Sequence, residues 1–380
     1  MPTTGTGLPT HFASPERYSE DVVHADSVEV KKKLMLSCFD AVPMGMAIIN
    51  KHRQIIYCNE AFRQLAHKQQ REDVIGLRPG EALDCVNSTK VEAGCGCSEF
   101  CDVCGAAQAI IKSLDGIADC QDCRMTRLVH GVEEPLDLQV FTTPMKLNGE
   151  PLTTIFVMDI SHELKLRYFN RTFYHGLING VGGIATLTEL IEAQPEDSGL
   201  FSLLIESSRR TLKDILYHRD VTAAEEGRLT ADMETFNAEQ FINSIISKEC
   251  TLRNTQSSCV DINVTAEFIT TDKRLLSHVV SNMLSNAIEA RESAPGQVTL
   301  ECKQMADGRI RLGMTNPGDI PPIIRKQMFK RYISTKSRER GLGNYVIKLF
   351  TEKYLDGKVD FITGDGTTTF FITLPVPEKS

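Results

Sequence analysis

The stretch Val279-Val-Ser-Asn-Met-Leu-Ser-Asn-Ala-Ile-Glu-Ala290 decides how this chain reads. It lies inside a helical pattern running from Asp272 to Glu292, which opens on Thr271-Asp272, polar residues suited to a helix cap. Asn282, Asn286 and Glu289 recur at spacings of four and three, so they share one helix face, while Leu276, Val279, Met283 and Ala287 share another. A row of amides opposite an apolar face has two readings. It is either a solvated surface or a place where side-chain oxygens meet a metal–phosphate group.

The surrounding sequence favours the second. From about Leu229 to Ser380 the pattern is helix, strand (Val260–Val264), the helix above, two strands (Gln297–Gln304 and Arg309–Thr315), a long loop, a helix and two last strands. Downstream come Met314-Thr-Asn-Pro-Gly-Asp-Ile-Pro321, Met328-Phe-Lys-Arg-Tyr-Ile-Ser-Thr-Lys336, Arg340-Gly-Leu-Gly-Asn344 and Gly366-Thr-Thr-Thr-Phe370. In order and spacing these five segments resemble the asparagine, glycine and phenylalanine boxes and the final Gly-Thr strand of histidine kinases and related ATPases. The resemblance implies ATP and Mg2+. Asn286 would ligate Mg2+ through its amide oxygen with Asn282 as polar partner, and Gly341 and Gly343 would let backbone approach the phosphates. Lys336 and Arg340 would bring charge to a closing loop, and Asn316, Gly318 and Thr367 complete the expected nucleotide site. The family usually has Asp where this chain has Asn316, whose oxygen can still accept from an adenine amino group, without charge assistance.

Upstream, from His162 to about Arg228, long helices are expected. Phe169, Phe173, Leu177, Gly180, Ile184, Leu187 and Ile191 form a heptad-like stripe, broken at Gln194-Pro-Glu-Asp-Ser-Gly199. Two helices with one stripe cannot bury it alone, which points to a homodimer with a four-helix bundle. His175 lies about 160° around the helix from that stripe, with Asn179 one turn on. Phe173-Tyr-His-Gly-Leu-Ile-Asn-Gly-Val-Gly-Gly183 resembles the His box of the same kinases, which implies that His175 accepts phosphate and a response regulator then receives it. The family places an acidic residue directly after this His, to orient it and take its proton. Here it is Gly176. Asn179 matches the position that orients water for dephosphorylation, so a phosphatase-biased protein, or a catalytically silent nucleotide-binding scaffold, stands as the alternative.

From about Lys31 to Ser161 short strands and helices alternate. Met46–Asn50 and Gln54–Cys58 suggest a hairpin, Asn59 caps a helix through Ala66, and Pro135–Met145 and Pro151–Ile160 suggest two strands joined at Leu147-Asn-Gly-Glu150. Ala41-Val-Pro-Met-Gly-Met-Ala47, Tyr57-Cys-Asn-Glu-Ala-Phe62 and Met158-Asp-Ile-Ser161 resemble the PAS fold. Seven of the twelve cysteines fall between Cys85 and Cys123. In a reducing compartment such density points to metal or redox chemistry before structural disulfides. Cys101-Asp-Val-Cys104 and Cys120-Gln-Asp-Cys123 have the spacing of a zinc or iron–sulfur site, with a helical segment Gly105–Leu114 between them. Similarity to PAS-kinase sequences narrows the ligands to Cys85, Cys95, Cys101, Cys104 and Cys123. A reversible thiol–disulfide sensor and incidental cysteines are the other readings.

The expected architecture is multidomain α+β. It comprises a flexible segment (1–30), a PAS-like sensor (31–161) with a Cys-rich insertion (85–123), a dimerisation and phosphotransfer hairpin (162–228), and an α/β-sandwich ATP-binding domain (229–380). A net charge of −8 argues against nucleic acid as partner. No apolar run reaches the roughly 20 residues of a membrane span, and the N-terminus has no signal-peptide core, so a cytoplasmic location is expected.

Overall fold

The computed structural model describes residues 7–33, 37–168, 174–194, 198–252, 260–294, 296–331 and 342–375. The chain forms two compact units, Met1–Arg167 and Tyr168–Ser380. Among the described residues, no helix is long and apolar enough to cross a membrane.

The first unit runs α1 (Glu20–Lys33), α2 (Ser37–Asp40), β1 (Gly45–Asn50), β2 (Ile55–Cys58), α3 (Glu60–Leu65), α4 (Pro79–Ala82), α5 (Gly105–Leu114), β3 (Asp119–Val129), β4 (Val132–Leu147), β5 (Glu150–Asp159) and α6 (Ser161–Tyr168). Its five-stranded antiparallel sheet has the order β2-β1-β5-β4-β3. The expected hairpin is there, with Ala47 opposite Cys58. Asn59 does more than cap α3. Its Oδ1 accepts from Phe62 N and Met46 N, while Nδ2 donates to Phe39, Val42 and Met44 carbonyls, so one buried amide fixes helix, strand and preceding loop.

From residue 7 on, the first segment is packed against the sheet and is not the flexible lead-in its composition suggested. Strand β1 is buried on both faces. Ala47 and Ile49 face a core containing Phe62 and Ile110, whereas Met46 and Ile48 face Tyr18, Val23 and Val30 from the N-terminal segment. Without α1 that second apolar face would be open to water, and each fully buried aliphatic side chain is worth about 1.5–3 kcal/mol. Backbone bonds from His11 N to Cys97 O and Ala13 N to Gly96 O tie down the chain before α1. The fully buried Arg78 adds donations to the carbonyls of Pro15 and Glu16.

The second unit runs α7 (His175–Ala193), α8 (Ser198–Glu225), β6 (Glu234–Asn237), α9 (Ala238–Leu252), β7 (Val260–Val264), β8 (Phe268–Thr271), α10 (Lys273–Ser293), β9 (Val298–Gln304), β10 (Ile310–Pro317), α11 (Pro322–Arg325), α12 (Gly343–Lys353), β11 (Lys358–Gly364) and β12 (Thr367–Leu374). The main sheet has the order β11-β12-β10-β9-β7, with β7 and β9 parallel and the other pairs antiparallel. Helices α10 and α12 lie against it and against each other. Helix α8 enters the same core through Val221 and Ala224, and Tyr354 donates its hydroxyl to the Ala224 carbonyl at 2.6 Å.

Helices α7 and α8 pack as a hairpin. The half-buried positions of α7 include Leu177, Gly180, Ile184, Leu187 and Ile191, the described part of the apolar stripe. Phe169 and Phe173 lie outside the described residues. At Gly180 the helices pack tightly: a Cβ there would collide with the Thr211 side chain. Ile178, Val181, Leu190, Phe201, Ile205 and Leu212 remain exposed.

Candidate functional site

Helix α10 sets one end of the candidate nucleotide site. Its first turn is fixed by Asp272, whose Oδ1 accepts from Leu275 N at 2.9 Å. From there the helical period buries Leu276, Val279, Met283 and Ala287 and leaves Asn282, Asn286 and Glu289 half-buried along the other face. The amides do not hang loose. Asn286 Nδ2 donates to Asn344 Oδ1 at 2.8 Å, and Asn282 Nδ2 donates to the Tyr217 hydroxyl at 3.3 Å. Both carbonyl oxygens are thereby the atoms left for a ligand. Gly343, the first residue of α12, lies against the two amides, and a Cβ there would sit 3.6 Å from Asn282 Oδ1 and 4.0 Å from Asn286 Nδ2. Amide oxygens beside a helix N-terminus without a side chain suit a hard cation and its phosphates. The residues present fit ATP and Mg2+.

The far end lies on β10. Asn316 is buried and donates Nδ2 to the Pro317 carbonyl at 2.8 Å, which turns its Oδ1 into the available acceptor. Gly318 holds a φ of +96°, a backbone region that favours glycine, and its N donates to the Gly366 carbonyl at 2.8 Å. Strand register places Thr368, not Thr367, opposite Asn316. Thr368 is buried and donates its hydroxyl to the Gly318 carbonyl at 2.7 Å, whereas Thr367 is exposed and donates to Gly364 O. Lys336, Arg340 and Gly341 lie outside the described residues.

Sequence reasoning passed over Asn344, Tyr217 and Thr368 as site residues. Asn344 was visible as the last residue of a quoted motif, but its grip on Asn286 depends on how α12 meets α10. Nothing in the sequence says that Tyr217 reaches Asn282. Close to that contact Asp220, 2% exposed, receives Arg274 and lies 3.3 Å from His278 Nε2. Burial pushes the Asp220 carboxyl up, but the guanidiniums of Arg219 and Arg274 outweigh it and hold the group below its ordinary range. Burial pushes His278 down, with Asp220 opposing.

On the hairpin, His175 is the first residue of α7, and its side chain lies outside the described residues. Asn179 is exposed on the following turn. Gly176 faces open space, with nothing within 4 Å of an added Cβ, so packing does not demand glycine there.

The cysteines of the first unit divide into several settings. Cys104 caps α5 and its Sγ lies 3.7 Å from Cys123 Sγ on β3. Cys85 and Cys95 flank Gly80, where a Cβ would meet Cys95 Sγ at 2.6 Å and Cys85 Cβ at 3.5 Å. Burial, with Cys85, Cys104 and Cys101 nearby, pushes the Cys95 thiol well up. Cys101 Sγ lies 3.2 Å from Ser98 Oγ, and Cys97 Sγ accepts from Arg78 at 3.3 Å. Cys120 and Cys123 are three apart on one strand, so they take opposite faces: Cys120 is exposed and Cys123 buried. Among the described residues, no group of three or more His, Cys, Asp or Glu converges closely enough to hold a metal ion.

Comparison with known proteins agrees with both folds. Residues 271–378 match the family of histidine kinase-, DNA gyrase B- and HSP90-like ATPases, and residues 34–120 match a PAS domain family. Over 373 residues the chain is 24% identical to the sensor-like histidine kinase SenX3 of Mycobacterium tuberculosis, covering 90% of this chain and 80% of that protein. Among solved structures, the Acinetobacter baumannii histidine kinase AdeS is 16% identical and covers 54% of this chain and 98% of its own, with a TM-score of 0.36. The histidine kinase ThkA, solved with the response regulator TrrA, is 15% identical and covers 90% of this chain and 99% of its own, with a TM-score of 0.35. With a PAS-family segment ahead of a histidine-kinase-type ATPase segment, the chain is similar to PAS-containing sensor histidine kinases.

Proposed function

We propose that the chain, as a cytoplasmic homodimer, transfers the γ-phosphoryl group of ATP to His175 and passes it to an aspartate of a response regulator, under control of its Cys-rich PAS domain. The observation that carries this is the pair of α10 amides beside Gly343, their nitrogens engaged by Tyr217 and Asn344 and the Asn282 oxygen facing Gly343. In this reading the Asn286 oxygen, with Asn282 beside it, would hold Mg2+, which would offset charge on the phosphates. Asn316 accepts from the adenine amino group, with Gly318 and Thr367 at the same end. Gly341 and Gly343 admit the phosphates, and Lys336 and Arg340 bring positive charge. An imidazole nitrogen of His175 attacks the γ-phosphorus, the bond to the bridging oxygen breaks, ADP leaves and the displaced proton goes to water. The exposed apolar residues of the hairpin support a second copy as the partner that covers them.

A phosphatase-biased or silent protein is the second reading. Gly176 favours it, because the position has room for the acidic side chain it lacks. Incubation with γ-labelled ATP separates the two. Acid-labile label that disappears in His175→Ala supports the kinase. Nucleotide binding without label supports the scaffold, and label that survives His175→Ala overturns His175 as acceptor.

A further inference from the structure

Two of the cysteines are brought together by backbone packing. Gly105, directly after Cys104, starts α5 flat against β3: a Cβ there would fall 2.1 Å from the Asp122 carbonyl. Asp122 directly precedes Cys123. The residues adjoining the two cysteines thus press backbone to backbone, which sets the sulfurs 3.7 Å apart. Cys95, with Cys85 beside it at Gly80, also lies near Cys104, and the nearby sulfurs have contacts of their own. Cys101 meets Ser98, Cys97 lies against Arg78, Cys95 packs at Gly80 and Cys120 points out from the other face of β3. We propose that Cys104 and Cys123 are a thiol–disulfide exchange site whose oxidant is a small organic disulfide.

The asymmetry of the pair fixes the order of events. Cys104, half-buried at the N-terminus of the ten-residue α5, meets the oxidant first, because Cys123 is 2% exposed. The Cys104 thiolate attacks one sulfur of the disulfide, and the first small thiolate leaves. Cys123 then attacks Cys104 Sγ in the mixed disulfide and expels the second. Two cysteine sulfurs are oxidised, the two sulfurs of the reagent are reduced, and the two protein protons end on the released thiols. Closing the bond takes the sulfurs from 3.7 Å to about 2.05 Å. The product ties the start of α5 to β3, an edge strand of the PAS sheet. That the bond controls the kinase rests on the reading proposed above. The bond itself does not.

The test uses the full chain, purified reduced without oxygen, exposed to glutathione disulfide and then alkylated and mapped by peptide mass. The expected product is two hydrogens lighter, with Cys104 and Cys123 joined and protected. Cys120→Ser still forms it, while Cys123→Ser stops with one glutathione on Cys104. A bond mapped to other cysteines overturns the proposal, as does continued alkylation of both thiols. So does protection before oxidation that ends when a chelator releases stoichiometric zinc or iron. Label uptake from γ-labelled ATP, compared between the mapped reduced and oxidised proteins, tests control separately: an unchanged rate overturns control and leaves the bond standing.

Discussion

The phenol oxygen of Tyr217, on α8, accepts a hydrogen bond from Asn282 Nδ2, on α10, at 3.3 Å. The second helix of the hairpin therefore touches the asparagine face directly. The same ring packs edge-on against His278, with centroids 5.1 Å apart, so it is held from a second side. The bond orients the Asn282 amide with its oxygen toward Gly343. Tyr217→Phe keeps the ring and removes the acceptor. A net hydrogen bond is worth about 1 kcal/mol, so nucleotide affinity should fall about fivefold with little change in melting temperature. Titration with a non-hydrolysable ATP analogue checks this, and unchanged affinity would break the link between hairpin and site.

A pH dependence follows from His278. Its folded pKa is lowered by burial, so the folded state prefers the neutral ring while the unfolded chain protonates near its ordinary value of 6.5. The unfolded state binds more protons in the window between the two values. Stability contributed by the neutral ring is full above 6.5 and is lost as pH falls through that window. Asp220 stays ionised there, since Arg219 and Arg274 hold its pKa below the ordinary range against the effect of burial. The melting temperature should drop from pH 7 to pH 5, and His278→Gln, which cannot titrate, should show a shallower drop. Parallel curves for the two proteins would refute the assignment.

What could be read from the chain follows a physical divide. Helix α10 was legible because a cap and a 3.6-residue period are local, and Asn59 announced α3 for the same reason. Three other features were not. Strand β3 was hidden because Cys120 to Cys123 read as ligand spacing, while strand pairing to β4 is what uses those residues. Helix α1 reads as polar, and the reason it folds is an apolar sheet face that only the assembled β1 and β2 present. Thr368 outranks Thr367 at Asn316 by a one-residue register that no motif encodes.

The glycines of α7 offer a contrast within one helix. An added Cβ at Gly180 would meet Thr211 at 2.3 to 3.1 Å, and the Thr211 hydroxyl is committed to the Ser207 carbonyl at 2.9 Å. At Gly182 it would meet nothing within 4 Å. Gly180→Ala should destabilise the hairpin by about 1–3 kcal/mol through forced separation of the helices. Gly182→Ala should stabilise it by ~1 kcal/mol through helix propensity alone. Thermal melts followed by circular dichroism should move in opposite directions. A common direction would mean that the α7–α8 crossing is not set at Gly180.

Gly176 gives the sharpest test of which way the enzyme leans. It follows His175 at the start of α7, is exposed, and has open space where a side chain would project. A glutamate there would meet no steric cost, would remove a flexible glycine from the first turn, and would add negative charge where a helix N-terminus favours it. Beside His175 it would also supply a base for the imidazole proton, an effect worth about 10²–10⁴ in rate when geometry is right. Gly176→Glu should therefore raise the initial rate of labelling from γ-labelled ATP by at least about tenfold. Nucleotide affinity should stay the same, because the site on α10 is untouched. If labelling stays at the wild-type rate while the variant binds nucleotide normally, proton removal does not limit this protein. The phosphatase-biased reading then gains over the kinase.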